Sequence, residues 1–202
     1  MPRPFSAGER EAIRAALLER GRRLFAAQGL RKTSVEELTA AAGISKGAFY
    51  HFFASKEELF FELLEAHEAR YKADLLEAIA RADLPPRARM LALLERSLAL
   101  LRSEPLFTRL GRAEYELLLR RLPPERVTAH LAGDDAFAER FAAAWADQGV
   151  ALALPPPLVA GLIRALFFVS MHEEDFTPGG YPAVIAELTA LVAARLVPEE
   201  ER

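Results

Sequence analysis

The chain has 202 residues, of which 51% are hydrophobic and 27% charged, and its formal net charge is -3. This composition is ordinary for a globular protein. The absence of cysteine excludes disulfides, thiol catalysis and cysteine-ligated zinc. No stretch reaches the roughly 18 consecutive apolar residues of a transmembrane helix, and the first residues lack the apolar core of a signal peptide. We therefore expect a cytoplasmic protein.

Strong helix formers, chiefly Ala, Leu, Glu and Arg, dominate the chain from its first residues to its last. Prolines and glycines divide it into helix-length pieces. The breaks fall at Gly29, Gly43, Pro85-Pro86, Pro105, Pro123-Pro124, Pro155-Pro156-Pro157, Pro178-Gly179-Gly180 and Pro198. Three pieces begin with a capping box, in which a serine and a glutamate three residues later cap each other's backbone amides: Ser6/Glu9, Ser34/Glu37 and Ser55/Glu58. The pattern predicts an all-α fold of about nine helices.

The stretch from Thr33 to Leu59 predicts two short helices joined by a tight turn. The first helix runs from Val35 to about Ala42, and Gly43 suits the left-handed backbone position that ends a helix. Ser45 can cap a second helix, which runs from Lys46 to about Phe53. Two such helices form a helix-turn-helix, whose second helix can enter the major groove of DNA.

Helical spacing divides this stretch into an inner and an outer face. The inner face is apolar and is expected to pack against Leu24 and Phe25; its members are Val35, Leu38, Ala42, Ile44, Phe49 and Phe53. The outer face consists of Lys46, Gly47, Ala48, Tyr50 and His51. These residues, the capping Ser45 and Lys56 at the start of the next helix are predicted to bind DNA. Taken singly, Tyr50 could be a partly buried aromatic residue, His51 a solvent-facing histidine, and the two lysines ordinary surface lysines.

The same stretch resembles the DNA-binding domain of the tetracycline-repressor (TetR) family of bacterial transcriptional regulators. The resemblance covers roughly residues 8 to 60, and the remainder resembles the family only in length and helical character. The matching residues are Thr33, Val35, Leu38, Ala41-Ala42-Gly43-Ile44-Ser45-Lys46-Gly47, Tyr50, Phe53 and Ser55-Lys56-Glu57-Glu58-Leu59.

Carried over to this chain, the resemblance implies a role for each matching residue. Lys46, Gly47 and Ala48 would lie at the groove, and Thr33 near a phosphate. Tyr50, His51 and Lys56 would contact the DNA backbone or neighbouring bases. Two positions depart from the family pattern: Phe52 stands where histidine is frequent, and Ala48 where threonine or asparagine is usual. Because Ala48 offers only a methyl contact, base recognition is expected to depend on Lys46 and on DNA shape.

The remainder of the chain is predicted to be a regulatory domain. We place the boundary after residue 55, with a DNA-binding domain at 1-55 and a helical ligand-binding and dimerisation domain at 56-202. The helices from Pro86 to Gly149 are expected to enclose a site for a small, largely apolar molecule. Polar or aromatic residues within otherwise apolar stretches, including one beyond Gly149, are the candidate ligand-binding residues: Arg96, Ser97, Phe107, Arg112, Tyr115, Trp145 and His172.

Several of these candidates have plainer alternatives. Trp145 could be a core residue, Arg112 a member of a surface ion pair, and Tyr115 a phenol that reaches solvent. The run His172-Glu173-Glu174-Asp175 contains metal-ligating residue types, but adjacent residues point around a helix and not toward one centre. We therefore expect neither a metal nor a cofactor.

The last two helices are apolar around most of their girth, and such helices must be buried on several sides. The resemblance implies that they pair with their symmetry mates in a four-helix dimer interface. The candidate interface residues are Leu158, Leu162, Leu166, Val169, Val184, Leu188, Leu191 and Val192. A two-fold dimer would present its recognition helices to half-sites about 34–36 Å apart on a palindromic operator.

The function predicted from these features is that of a ligand-responsive repressor, released from its operator when a small molecule binds. An activator or ligand-carrying adaptor on the same scaffold is the alternative. An all-helical enzyme is less favoured, because the four histidines are scattered at His51, His67, His130 and His172 and no nucleophile-base pairing stands out.

The distribution of charge supports a DNA-binding N-terminus. The acidic total argues against a nucleic-acid binder, but it conceals an uneven distribution. Residues 1 to 56 contain ten Lys and Arg against five Asp and Glu, whereas the rest contains sixteen against twenty-four. A polyanion would therefore be attracted to the first part of the chain and repelled by the second.

Overall fold

The computed structural model describes residues 5–80, 84–108 and 110–198, apart from the side chain of Phe107, and this part of the chain contains helices and no β-strand. The all-α prediction is confirmed. In chain order the helices of the described residues are α1 (Ala7–Lys32), α2 (Val35–Ala42), α3 (Lys46–Phe49), α4 (Lys56–Ala80), α5 (Pro86–Ser103), α6 (Pro105–Thr108), α7 (Arg112–Arg121), α8 (Pro124–Ala146), α9 (Pro156–Ser170) and α10 (Gly180–Leu196), with a 3-10 turn at Glu173–Asp175. None of these helices is long and apolar enough to cross a bilayer.

The predicted helix starts and breaks are largely found. Ser6 and Glu9 form a reciprocal capping box at the start of α1. Ser55 accepts a hydrogen bond from the backbone N–H of Glu58, whose carboxylate accepts from Ala54 at 3.1 Å. The chain leaves helical geometry at Gly29, where φ is 81°, a value that glycine adopts without steric cost.

Three basic side chains stabilise the C-terminal ends of helices that lie elsewhere in the chain. Lys56 donates to carbonyl oxygens at the end of α1. Arg89 donates to the carbonyl of Ile79 in the last turn of α4, and Arg87 to that of Val197 after α10. The last carbonyls of a helix have no partner within it and carry partial negative charge, so these cations satisfy oxygen atoms that the helix leaves free.

The chain forms two compact units, and their limits differ from the predicted boundary at residue 55. Unit 1 comprises Met1–Glu68 together with Glu104–Leu122, and unit 2 comprises Ala69–Ser103 together with Pro123–Arg202. The segment containing α6 and α7 therefore belongs with the helix-turn-helix, although it lies far away in the sequence. Local hydrophobic periodicity does not report such a long-range association.

Unit 1 has a core of aliphatic and aromatic side chains around α1. Phe25 is fully buried and meets Phe60 of α4 edge to face, with ring centroids 5.0 Å apart. A side chain at Gly21 would place its Cβ 2.6 Å from Leu59. The glycine therefore permits the close packing of α1 against α4.

Unit 2 is organised around a larger apolar core, with Trp145 fully buried within it. Beside this core, the carboxylate of Asp134 on α8 binds two cations: Lys72 of α4 at 2.6 Å and Arg164 of α9 at 3.3 Å. Burial acts to raise the pKa of Asp134, but the hydrogen bond and charge of Lys72, with smaller contributions from His130 and Arg164, together outweigh it and hold the pKa below its usual value. The carboxylate is therefore ionised at neutral pH and joins three helices of unit 2.

Candidate nucleic-acid interface

The helix-turn-helix is formed by α2 and α3. Ser34 and Glu37 make a reciprocal capping box at the start of α2, and Gly43 ends it with φ 71° and ψ 31°. Ser45 then caps α3 by accepting a hydrogen bond from the backbone N–H of Ala48 at 3.2 Å. The predicted second helix is shorter than expected: α3 ends at Phe49, and the chain turns through His51 and Phe52.

Aromatic residues on the inner side determine which face of α3 is left exposed. Phe49 and Phe53 are buried, as predicted, and their ring centroids are 6.0 Å apart. Leu38 of α2 is buried with them. With these side chains in the core, the remaining side of α3 and of the turn after it faces solvent.

Five of the predicted DNA-binding residues lie exposed on this side. They are Ser45, Lys46, Gly47, Tyr50 and His51. The Tyr50 side chain is 51% exposed although its ring meets the edge of Phe49. A Cβ added at Gly47 would have no atom within 4 Å, so another surface can come close to the backbone there.

Ala48 does not lie on this surface. The residue is only 9% exposed and packs with the core, whereas helical spacing placed it on the outer face. Because α3 is a single turn, its direction is set by the burial of Phe49, which carries the preceding alanine inward. The predicted methyl contact between Ala48 and a base therefore does not fit this structure.

Thr33 and Lys56, two predicted phosphate contacts, are also used internally. Thr33 is fully buried, and its hydroxyl donates to the carbonyl of Gly29 at 2.8 Å. Lys56 Nζ donates to the carbonyl oxygens of Leu30, Arg31 and Thr33 at 2.8, 3.2 and 2.7 Å. An ammonium group has three N–H donors, so all of them are occupied. These residues join the end of α1 to the start of α4.

Lys46 on the exposed face is paired with a carboxylate that the sequence analysis did not identify. Its Nζ lies 2.5 Å from Oε1 of Glu36, in the first turn of α2. The hydrogen bond between them lowers the pKa of the Glu36 carboxyl and raises the pKa of the Lys46 ammonium. Both groups are therefore charged at neutral pH. Their sequence separation of ten residues matches no helical spacing, since the two residues lie on different helices.

A second carboxylate that sequence reasoning missed lies at the end of α1. Glu114 of α7 accepts the backbone N–H of Arg31 at 3.5 Å. A Cβ at Gly29 would come within 2.9 Å of the same carboxylate oxygen. A glycine at this position therefore allows both the positive backbone φ and the close approach of Glu114. Within unit 1, α7 thus contacts the end of α1.

The structure divides the predicted ligand-binding residues between the two units. Phe107, Arg112 and Tyr115 are in unit 1, and Arg96, Ser97, Trp145 and His172 are in unit 2. The side chain of Phe107 lies outside the described residues, and Arg112 is exposed and pairs with Glu116 at 3.1 Å.

The four predicted ligand-binding residues in unit 2 also have different surroundings. Arg96 is exposed, and the Ser97 hydroxyl donates to the carbonyl of Leu93 in its own helix. Trp145 is a core residue, and His172 Nδ1 lies 2.7 Å from a carboxylate oxygen of Asp175. The seven residues therefore do not form one site within either unit. The lining of an effector site remains a prediction.

The predicted interface helices present apolar side chains to solvent. Leu158 and Leu191 are 55% and 56% exposed, and Val184 is also exposed. Four other predicted members are half-buried: Leu162, Val169, Leu188 and Val192. Leu166 is buried in the core of unit 2, so this side chain is not available to a partner, contrary to its predicted role.

Known proteins match an N-terminal segment of this chain in sequence and nearly all of the chain in fold. Residues 17–63 match the family model described as bacterial regulatory proteins, tetR family. The transcriptional repressor KstR2 of Mycobacterium tuberculosis is 42% identical over 78 residues, which are 37% of this chain and 38% of that protein. The chain thus aligns with less than half the length of this relative.

Two solved structures resemble the complete chain. A TetR-family regulator from Pectobacterium atrosepticum has a TM-score of 0.66 at 24% identity and covers 98% of this chain and 100% of its own. RolR in complex with resorcinol has a TM-score of 0.59 at 18% identity and covers 97% of this chain and 100% of its own. At these identities the likeness establishes the helical fold.

Proposed function

We propose that this chain, whose N-terminal segment belongs to the tetR family of bacterial regulatory proteins, is a homodimeric transcriptional repressor that a small molecule releases from DNA. The observation that carries the proposal is the exposed face of the helix-turn-helix. Lys46, Gly47, Tyr50 and His51 lie together there, while the aromatic residues beside them are buried. This arrangement offers a cation, a close backbone approach and a phenol to a DNA groove.

The proposed mode of binding follows from the accessible groups. The α3 segment enters the major groove with Lys46 toward base edges and with Tyr50 and His51 toward the backbone. The basic excess of residues 1 to 56 attracts the DNA. Since Ala48 is buried and α3 is short, few side chains reach base edges, and DNA shape contributes to the choice of site.

Dimerisation is supported by the exposed apolar side chains of α9 and α10. Leu158, Phe168, Val184 and Leu191 are among the exposed large hydrophobic residues of the described chain. Burial of such side chains in a two-fold interface stabilises it by about 1.5–3 kcal/mol for each residue fully covered. The dimer would bind a palindromic operator in the cytoplasm, where the bacterial DNA is accessible.

The proposal that a small molecule regulates DNA binding is supported by the helical part of the chain that follows the helix-turn-helix and by proteins similar to this chain. KstR2 is named a repressor, and the RolR structure contains resorcinol. In this chain a small, largely apolar molecule would favour the conformation that does not match the operator. DNA affinity would then fall by a coupling free energy of ~1–3 kcal/mol, and DNA would weaken effector binding equally.

A gel-shift titration tests DNA binding directly. The complete protein is titrated into the DNA upstream of its own gene, at two salt concentrations and with an unrelated fragment of equal length as the control. We expect a complex that prefers the upstream fragment and weakens as salt rises. Equal binding to both fragments, or none, would reject the proposal. A reporter assay then separates repression from activation, the alternative on the same scaffold.

A further inference from the structure

We propose that Glu36 and Lys46 act together as a reader of one G·C base pair in each operator half-site. This inference rests on the proposed DNA-binding function. Glu36 is a carboxylate on α2 that neither helical spacing nor the family pattern identified. The inference is based on the ion pair between a Glu36 carboxylate oxygen and Lys46 Nζ of α3, which lie 2.5 Å apart.

Both side chains are accessible despite their pairing. The side chain of Lys46 is 57% exposed and that of Glu36 is 64% exposed. The hydrogen bond therefore occupies one of the three ammonium protons and leaves the other two open to a ligand. The Glu36 carboxylate also accepts its own backbone N–H, but its two oxygens have about four acceptor positions, so it can still accept from a ligand. The pair thus presents donors and an acceptor side by side on the surface that carries Tyr50 and His51.

This arrangement complements the major-groove edge of G·C more closely than that of A·T. Guanine presents two adjacent acceptors, N7 and O6, and the N4 amino group of cytosine stands next to them as a donor. Lysine can donate to both guanine acceptors, and a neighbouring carboxylate can accept from cytosine. In an A·T pair the adenine N6 amino donor lies between two acceptors, adenine N7 and thymine O4. The edge then ends in the thymine methyl group, which makes no favourable contact with a charged group.

Because the pair is neutral, its effect on the choice of base can be distinguished from the general electrostatic attraction of DNA phosphates. Lys46 and Glu36 together carry no net charge, so the pair adds little to the attraction of phosphates and contributes chiefly to discrimination between bases. Removal of Glu36 would release one cation per protomer. Binding to all DNA would then increase, and the salt dependence would steepen by about 0.9 for each phosphate that the freed lysine neutralises.

The test compares the complete wild-type protein with Glu36→Ala, Lys46→Met and the double variant. Each is titrated into a selected operator and into versions in which one base pair per half-site is exchanged. Glu19→Ala is the matched control, because Glu19 is an exposed acid of α1 in the same unit and is paired with Arg23. Thermal unfolding of each variant shows whether the protein still folds with wild-type stability.

We expect the wild type to lose about 5- to 150-fold in affinity when one particular G·C pair becomes A·T, the range for one well-made base contact. Glu36→Ala and Lys46→Met should both lose this discrimination at the same base pair, and the double variant should lose no more than either. Glu36→Ala should also bind unrelated DNA more tightly, whereas Glu19→Ala should retain the wild-type preference.

Wild-type discrimination in Glu36→Ala at every base pair would overturn the inference. A change at a different position from that affected by Lys46→Met would also overturn it, since the two residues would then act separately. If the wild type prefers no DNA sequence, the proposed function itself fails. If instead the wild type is selective and the variants keep the same selectivity, only the base-reading pair is rejected and the proposed function stands.

Discussion

Lys56 Nζ lies 2.7 Å from the carbonyl oxygen of Thr33, and the same ammonium donates to the carbonyls of Leu30 and Arg31. The lysine at the start of α4 therefore stabilises the end of α1. A cation at the carbonyl end of a helix interacts favourably with the helix dipole. This relationship changes the expected role of Lys56 from a DNA contact to an internal support of the helix-turn-helix.

Lys56→Met should destabilise unit 1 and leave the salt dependence of DNA binding unchanged. Hydrogen bonds to a charged group contribute about 1.5–3 kcal/mol, and methionine retains most of the apolar stem. Urea unfolding measures the stability, and the slope of affinity against salt measures phosphate contacts. Lys32→Met, at an exposed position in the last turn of α1, is the control for stability. A slope reduced by about 0.9 per protomer in Lys56→Met would instead assign Lys56 to a phosphate.

Substitution by alanine should affect two glycines of the helix-turn-helix differently: one in stability and the other in DNA binding. Gly43 has φ 71°, where a Cβ is strained, so Gly43→Ala should cost about 1–2 kcal/mol of stability. Gly47 has open space around a Cβ, so Gly47→Ala should fold normally but weaken DNA binding through a methyl group on the groove-facing surface. Thermal unfolding and anisotropy titration separate the two effects. Unchanged DNA affinity in Gly47→Ala would remove this residue from the interface.

Asp134→Asn should destabilise unit 2, because it leaves the charges of Lys72 and Arg164 without their shared carboxylate. We expect a loss of about 1–3 kcal/mol at neutral pH. Because the pKa of Asp134 is held below its ordinary value, the contribution is complete above the unfolded pKa of about 4 and is lost as pH falls through the lower folded pKa. Trp145, the one tryptophan of the chain and a core residue of unit 2, reports the unfolding by fluorescence.

Asp135→Asn is the matched control for this experiment. Asp135 is more exposed and lies 3.8 Å from Arg164, so its removal should cost well under 1 kcal/mol. Equal destabilisation by the two variants at neutral pH, or an unaltered acid dependence in Asp134→Asn, would show that Asp134 does not hold the two cations as described.

Leu191→Glu should convert the proposed dimer to monomers. A two-fold interface contains the substituted position twice. Because Leu191 is 56% exposed, covering it contributes about half of the value for a fully exposed leucine, and losing two such contributions should raise the dissociation constant at least ~10-fold. Sedimentation equilibrium measures this change, and operator affinity should fall with it. Leu131→Glu introduces the same charge at an exposed leucine of α8 and should leave the association unchanged. A dimer that survives Leu191→Glu would place the interface elsewhere.

The sequence predicts correctly those features of the fold that are determined by residues close together in the chain. Ser34, Glu37 and Gly43 mark the start and end of α2 within ten residues, and capping chemistry is local. The inward positions of Phe49 and Phe53 follow from spacing along the chain. The all-α class and the helix-turn-helix therefore required no knowledge of the tertiary packing.

Features that join distant segments could not be predicted in this way. Lys56 meets carbonyls 23 to 26 residues earlier, and Glu114 meets the N–H of Arg31 across 83 residues. Nothing in the spacing of these residues indicates that they meet. Ala48 shows the related limit, because a helix of one turn has too few residues for its periodicity to determine which of them face outward.

Selection of DNA from a random pool by the wild-type protein shows whether this chain recognises a specific DNA sequence. We expect enrichment of a two-fold symmetric sequence whose half-sites lie about 10–10.5 base pairs apart, or a multiple of this spacing. Each half-site should contain a position restricted to G·C, and binding to the selected sequence should weaken steeply with salt. A pool that remains unenriched after repeated rounds, with the protein folded, would contradict the assignment of this chain as a sequence-specific DNA-binding regulator.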